Sequence, residues 1–138
     1  MLMSLLYGAV YALAGIFLLA AGFVMLDLLT PGRLGHKVYT ERSVNGAVIL
    51  SAAFLGLGAI EFTAIWTNAA SGFGSALAWT LAFGLLGVVL QGVSFLLLDL
   101  LTPGSLRELA VDTRMHPGAF VAASSMLAVS AIICAAIA

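Results

Sequence analysis

Leu26-Asp27-Leu28-Leu29-Thr30-Pro31-Gly32 returns, residue for residue, as Leu98-Asp99-Leu100-Leu101-Thr102-Pro103-Gly104. The two copies stand 72 positions apart. At the same offset Tyr7 meets Trp79, Gly15 meets Gly87, Leu34 meets Leu106, Arg42 meets Arg114 and Gly46 meets Gly118. Seven identities in a row are hard to obtain by chance, even in an apolar chain. The sequence therefore reads as two tandem helical hairpins, 3–68 and 76–138, within one domain 1–138. Each copy carries two apolar stretches, so both copies start on the same side of a membrane. The halves are expected to be related by rotation about an axis near the membrane normal, not by inversion.

Around the motif the chain is nearly free of charge. Of its 138 residues 63% are hydrophobic and 8% charged, against about 45–50% and about 25% in soluble domains. The charges fall into two groups. Asp27, Arg33, Lys37, Glu41 and Arg42 follow the first apolar stretch, and Asp99, Arg107, Glu108, Asp112 and Arg114 follow the third. Glu61 stands alone inside the second. The four stretches are 1–26, 44–66, 76–98 and 117–138. A helix of about 20 residues crosses a hydrocarbon core of about 30 Å. Lipid offers no hydrogen bonds, so a spanning segment must satisfy its own backbone, and a helix does so. The stretches are continuously apolar and do not alternate, which argues against a barrel. The first is too long for the core of a signal peptide and has no basic residue before it. The expected fold is an all-α polytopic membrane protein of four spans.

A net charge of −1 provides no basic patch for nucleic acid. Cys134 is the single cysteine, and His36 and His116 lie far apart. That leaves no internal disulfide and no thiolate or imidazole metal cluster, and no cofactor is expected. All five Lys and Arg lie in the first and third connections. Basic residues stay on the cytoplasmic side, so both termini and the second connection should face outside. Trp66 and Trp79 flank that uncharged connection as interface aromatics, and Tyr7 fits the same outer belt.

The motif also reads mechanically. Thr30 and Thr102 are placed to cap a new short helix, with Pro31 and Pro103 at its first position. Residues 33–38 and 105–111 would then lie on the membrane surface. In the second copy Leu106, Leu109 and Ala110 share one helical face, and Arg107 and Glu108 the other. Asp27 and Asp99 mark the water boundary, and Thr-Pro-Gly makes the turn. Coordination of an ion by the paired aspartates is the alternative.

The repeated motif, together with Glu41-Arg42-Ser43-Val44-Asn45-Gly46-Ala47 at the start of the second stretch, resembles the bacterial "domain of unknown function 350" family of small inner-membrane proteins. The resemblance covers nearly the whole chain, as two copies of a two-helix unit. The second copy departs from the pattern, with Pro117 in place of Asn45 and Thr113 in place of Glu41. The resemblance implies a four-helix protein of the bacterial inner membrane and brings no established activity.

Packing is better supported than catalysis. Thr80, Gly84, Gly87, Gln91 and Ser94 form one stripe on the third stretch, matched on the first by Gly8, Ala12, Gly15, Leu19 and Gly22. Small residues at this spacing let membrane helices approach closely. The stripe is expected inside one bundle, with subunit contact or a pore lining as alternatives. Glu61 is the one ionisable residue within a span, 17 residues after Val44. That is roughly 25 Å along a helix and near the outer side. Glu61 and Gln91 are the candidate ion or proton site, although they are too far apart in depth to touch. Intramembrane carboxylates are functional candidates by default, but the repeat counterpart of Glu61 is Ile133. Ser124, Ser125, Ser130 and Cys134 are expected to bond to backbone or pack, and His36 and His116 to be solvated. No Ser-His-Asp set, phosphate loop or zinc spacing is present. The expected role is a non-enzymatic bundle in the lipid bilayer that associates with itself or with a membrane partner. The alternative is a small ion- or proton-conducting oligomer using Glu61.

Overall fold

The computed structural model describes residues 1–30, 33–102, 104–112 and 114–138. It holds six α-helices among these residues: α1 Leu2–Leu29, α2 Leu34–Tyr39, α3 Val44–Asn68, α4 Phe73–Leu101, α5 Leu106–Val111 and α6 Gly118–Ile137. A single 3₁₀ turn, Ala69–Ser71, joins α3 to α4. The helices α1, α3, α4 and α6 are long and apolar enough to cross a membrane, each with a stretch of mean hydropathy 2.0–2.4. The chain is an all-α polytopic protein. The short helices α2 and α5 fill the two charged connections, so the order long, short, long occurs twice.

The helix α3 is the axis of the bundle. It buries 11 residues, whereas α1 buries three, Leu18, Gly22 and Leu26. It packs against α1, α4 and α6. Glycines make these approaches possible, since a methyl group at Gly22 would overlap Leu57 and one at Gly84 would overlap Leu18. At the charged end Leu34 of α2 and Ala110 of α5 are fully buried with Phe95, Ile49 and Met126. Gly46 lies between them. A methyl there would come within 2.7 Å of the Ala110 carbonyl oxygen and 2.9 Å of Leu34 Cδ1. Large apolar side chains such as Leu13, Phe17, Leu55 and Ile132 point outward, as lipid-facing residues should. Tyr7 stacks on Phe73 at 4.1 Å, tying the start of α1 to the start of α4. Trp66 and Trp79 are exposed on either side of the uncharged turn.

The caps differ from the sequence expectation. Thr30 and Thr102 do not open new helices; they close α1 and α4. Each is extended, with ψ of 142° and 132°, because a residue before proline is driven out of the helical region. Their hydroxyls donate back to the Leu26 and Leu98 carbonyls, at 3.0 and 2.6 Å. Asp27 and Asp99 consequently sit within the last helical turns and do not end the spans. The next helices begin later, after Arg33 and Ser105. Ser105 accepts the Glu108 N–H at 3.3 Å, and Ser-x-x-Glu is the capping signature that reading Thr as the cap passed over. Gly104 has a φ of 87°, a turn conformation that glycine adopts freely. The motif residues Pro31, Gly32 and Pro103 lie outside the described residues, as do the side chains of Leu106 and Arg107.

Ser71 is exposed in the turn between α3 and α4. In a Cys134→Ala background, a cysteine introduced there should react with an impermeant maleimide on intact cells. Reaction only after permeabilisation would reverse the expected orientation.

Candidate functional site

Two sets of buried polar groups stand out, one at the charged end and one inside the spans. The first begins with Ser43, which caps α3 by accepting the Gly46 N–H at 3.2 Å. Its own hydroxyl donates to the Asp112 carbonyl at 2.7 Å, with that of Ala110 at 3.1 Å. Asn45, fully buried, goes further. Its amide donates to the carbonyls of Arg114 at 2.6 Å and Leu109 at 3.2 Å, and its Oδ1 accepts the His116 N–H at 2.9 Å. One segment of the first half thus satisfies the backbone of the α5–α6 connection in the second. Sequence reading noticed Ser43 to Gly46 only as part of a family pattern. The available signal was Asn45 beside a capping serine, in a connection that is otherwise charged. Position 117, the counterpart of Asn45, holds proline, and position 115, that of Ser43, holds the exposed Met115. This lock has no mirror image.

The second set lies in the spans. Gln91, fully buried on α4, donates from Nε2 to Ser130 Oγ of α6 at 2.6 Å. Ser130 in turn donates to the Met126 carbonyl at 2.8 Å. The bond passes over Gly56 of α3, where a methyl would overlap Ser130 and approach Gln91 Nε2 to 2.7 Å. This is the interhelical bond expected of a buried glutamine, and it draws in Ser130, which was expected to bond to backbone or pack and does bond to the Met126 carbonyl. Glu61 is 6% exposed and lies against Gly15, where a methyl would meet Oε2 at 2.9 Å. Both Glu61 Oε1 and Gln91 Oε1 are buried without a hydrogen-bond partner. Gln91 reaches Gly56 while Glu61 reaches Gly15 on the other side of α3, so the two candidates do not form one site.

The stripe divides. Thr80, Gly84, Gly87 and Gln91 are buried, and Ser94 is half-buried. On α1 only Gly22 is buried; Gly15 and Leu19 are half-buried, and Gly8 and Ala12 are exposed. The expectation of a stripe inside one bundle fails for Gly8 and Ala12. Gly8 and Ala12 lie on a side of α1 left exposed, and nothing lies within 4 Å of a methyl placed at Gly8.

Asp27 Oδ1 accepts the Gly35 N–H at 2.9 Å and so positions α2. Exposed on the first connection, Glu41 pairs with Lys37 at 2.7 Å. That hydrogen bond holds its carboxyl below the usual range. His36 and His116 are exposed, and His116 Nδ1 accepts the Gly118 N–H at 2.9 Å. A groove of 510 Å³ opens between the ends of α4, α5 and α6, lined by Leu98, Leu101, Glu108, Asp112, His116 and Val121 among others. Among the described residues no three His, Cys, Asp or Glu side chains gather as a metal site.

The chain matches, over residues 1–137, the family described as Domain of Unknown Function (DUF350). The chain belongs to this family. It is 39% identical over 127 residues to a UPF0719 transmembrane protein of Mycolicibacterium paratuberculosis, covering 92% of this chain and 83% of that one. It is 34% identical over 148 residues to a UPF0719 transmembrane protein of Mycobacterium bovis, covering 99% and 91%. No solved structure matches the chain. The DUF350 chain is thus an integral membrane protein similar to uncharacterised transmembrane proteins of mycobacteria.

Asn45→Ala should leave the Arg114 carbonyl and the His116 N–H without partners and take one of two donors from the Leu109 carbonyl. An unsatisfied buried group costs about 1–3 kcal/mol, so the midpoint of thermal unfolding in nanodiscs should fall clearly. Asn45→Asp keeps the acceptor but loses both donors and should fall nearly as far. Gly56→Ala, which drives a methyl into the Gln91–Ser130 bond, should cost about 1–3 kcal/mol by overpacking in the same assay.

Proposed function

We propose that this protein is a non-catalytic bundle of the bacterial inner membrane that works by association, with itself or with a membrane partner, through the outer half of α1. Its termini face outside, and its two halves are copies of one hairpin related by rotation about the membrane normal. The observation that carries the reading is the stripe that runs off the bundle edge. Small residues let membrane helices come into close contact, which is how such helices associate in lipid. The counterparts of Gly8 and Ala12, which are Thr80 and Gly84, are packed inside the bundle. Gly8 and Ala12 have the same character and face outward. The polar groups of the charged end are engaged in holding backbone, which favours a structural role for them over a chemical one.

A second reading, an oligomeric ion or proton pathway, is favoured by the buried Glu61 oxygen that lacks a partner. Conductance of vesicles containing the purified protein is its test.

For association, the size of the protein in native-lipid nanodiscs is the measurement. Gly8→Leu combined with Ala12→Leu should shift assemblies toward single copies, or release a co-purifying partner. The unfolding midpoint should stay where it is, because neither residue is buried in the bundle. A wild-type protein that is monomeric and without a partner in native lipid would overturn the association reading.

A further inference from the structure

We propose that Glu61 is a proton-exchange site, opened sideways toward the outer half of the membrane through the gap along Gly8, Ala12 and Gly15. The proposal deepens the second reading, on which it rests, by naming the ion and the route; it concerns binding at equilibrium and holds whether or not the proton is passed on.

Three observations converge. The Glu61 carboxyl is more than nine-tenths buried, and its Oε1 has no partner. A lone carboxylate at such a place is costly unless something neutralises it. The chain itself supplies nothing of the kind. All its Lys and Arg belong to the two charged connections, so neither this bundle nor a second copy brings a basic side chain to that depth. Of the helices packed on α3, the short α2 and α5 carry His36, Lys37, Tyr39, Arg107 and Glu108 at the charged end, and α1 carries Tyr7 and Tyr11 before Asp27 at its far end. α4 has no titratable group before Asp99, α6 has Cys134, and α3 itself has none besides Glu61. The neutralising partner must therefore come from outside the fold, and the smallest that fits a single carboxyl is a proton. The carboxylate takes it from water as Glu-COO⁻ + H₃O⁺ ⇌ Glu-COOH + H₂O.

The route follows from the way the two halves differ. Leu18 of α1 is fully buried and fills the space at Gly84 of α4. Its repeat counterpart, Leu90, is 37% exposed, and the counterpart of Gly84, Ala12, is left uncovered. The same place that is plugged on α4 is open on α1. The open face leads down to Gly15, and Glu61 Oε2 lies at that glycine. Counted along α1, Gly15 is about 12 Å below the Tyr7–Phe73 stack. In the second half the position of Glu61 is taken by Ile133, which is packed with Leu57, Ile60 and Val88. The carboxyl and the opening thus occur together, in the first half.

Dicyclohexylcarbodiimide dissolves in lipid and adds to protonated carboxyls, leaving a stable acylurea that mass spectrometry locates. With wild-type protein in nanodiscs, labelling of Glu61 should rise as pH falls, be unaffected by sodium or potassium, and disappear in Glu61→Gln. Ala12→Leu should slow labelling several-fold without moving the unfolding midpoint. No labelling of wild-type Glu61 at any pH would overturn the proposal. Protection by sodium would also overturn it, in favour of a metal cation. Labelling as fast in Ala12→Leu as in wild type would overturn the route. The wild-type pH and salt series needs no variant, so it decides even if Glu61→Gln misfolds. Reconstituted vesicles that show no proton flux would sink the conduction reading and leave the labelling result standing.

Discussion

A carboxamide at the start of α3 holds the charged end of this bundle together. Lipid and the membrane boundary leave backbone groups few partners, and the α5–α6 connection has no regular structure to supply them. Asn45 offers two donors and one acceptor, and uses both kinds on Leu109 at the end of α5 and on Arg114 and His116 of that connection. Ser43 adds a fourth. Because these residues lie in the first turn of the central helix, the connection is fixed to the most buried element of the protein. The close approach needs Gly46, whose missing side chain leaves room for the Ala110 carbonyl and for Leu34. The positions of α2 and α5 follow from that one crowded contact.

The two halves share a sequence framework and spend it differently. The first half gives up Ser43 and Asn45 to hold the second, while the second has Met115 and Pro117 and returns nothing similar. Leu18 is swallowed by α4, while Leu90 faces outward. Glu61 is matched by Ile133. The result is a bundle in which α3 is the most buried of the four long helices and α1 is the least. Two halves with identical surroundings would place α3 and α6 alike. The substitutions at 45 and 61 against 117 and 133, and the unequal burial of the identical Leu18 and Leu90, are where that equality is broken.

Much of this was legible in the chain. The four spans follow from apolar stretches whose length is set by the bilayer, and no competing signal interrupts them. The short helices followed from the mixed segments after each Thr-Pro-Gly, although the caps did not. Threonine is a good N-cap residue in isolation, and only the pull of the following proline on its backbone shows that Thr30 and Thr102 end helices. Gln91 was recognisable as a bridging group, but its partner Ser130 was one of several serines and hydroxyl positions on a helix give no direction. The exposure of Gly8 and Ala12 was hidden for a similar reason. A stripe of small residues has the same spacing whether a neighbour covers it or not, and the cover is decided by which side of α1 the other helices pack against.

The lock at Asn45 also bears on how the protein is made. Its hydrogen-bond partners lie 64 to 71 residues further along the chain. At a synthesis speed of about 5–20 residues per second, roughly 3 to 14 seconds separate the donor from its partners. During that interval the Asn45 carboxamide and the Ser43 hydroxyl proton have no partner from the second half. The lock can close only once residues 109–116 have been made, with α6 still to follow.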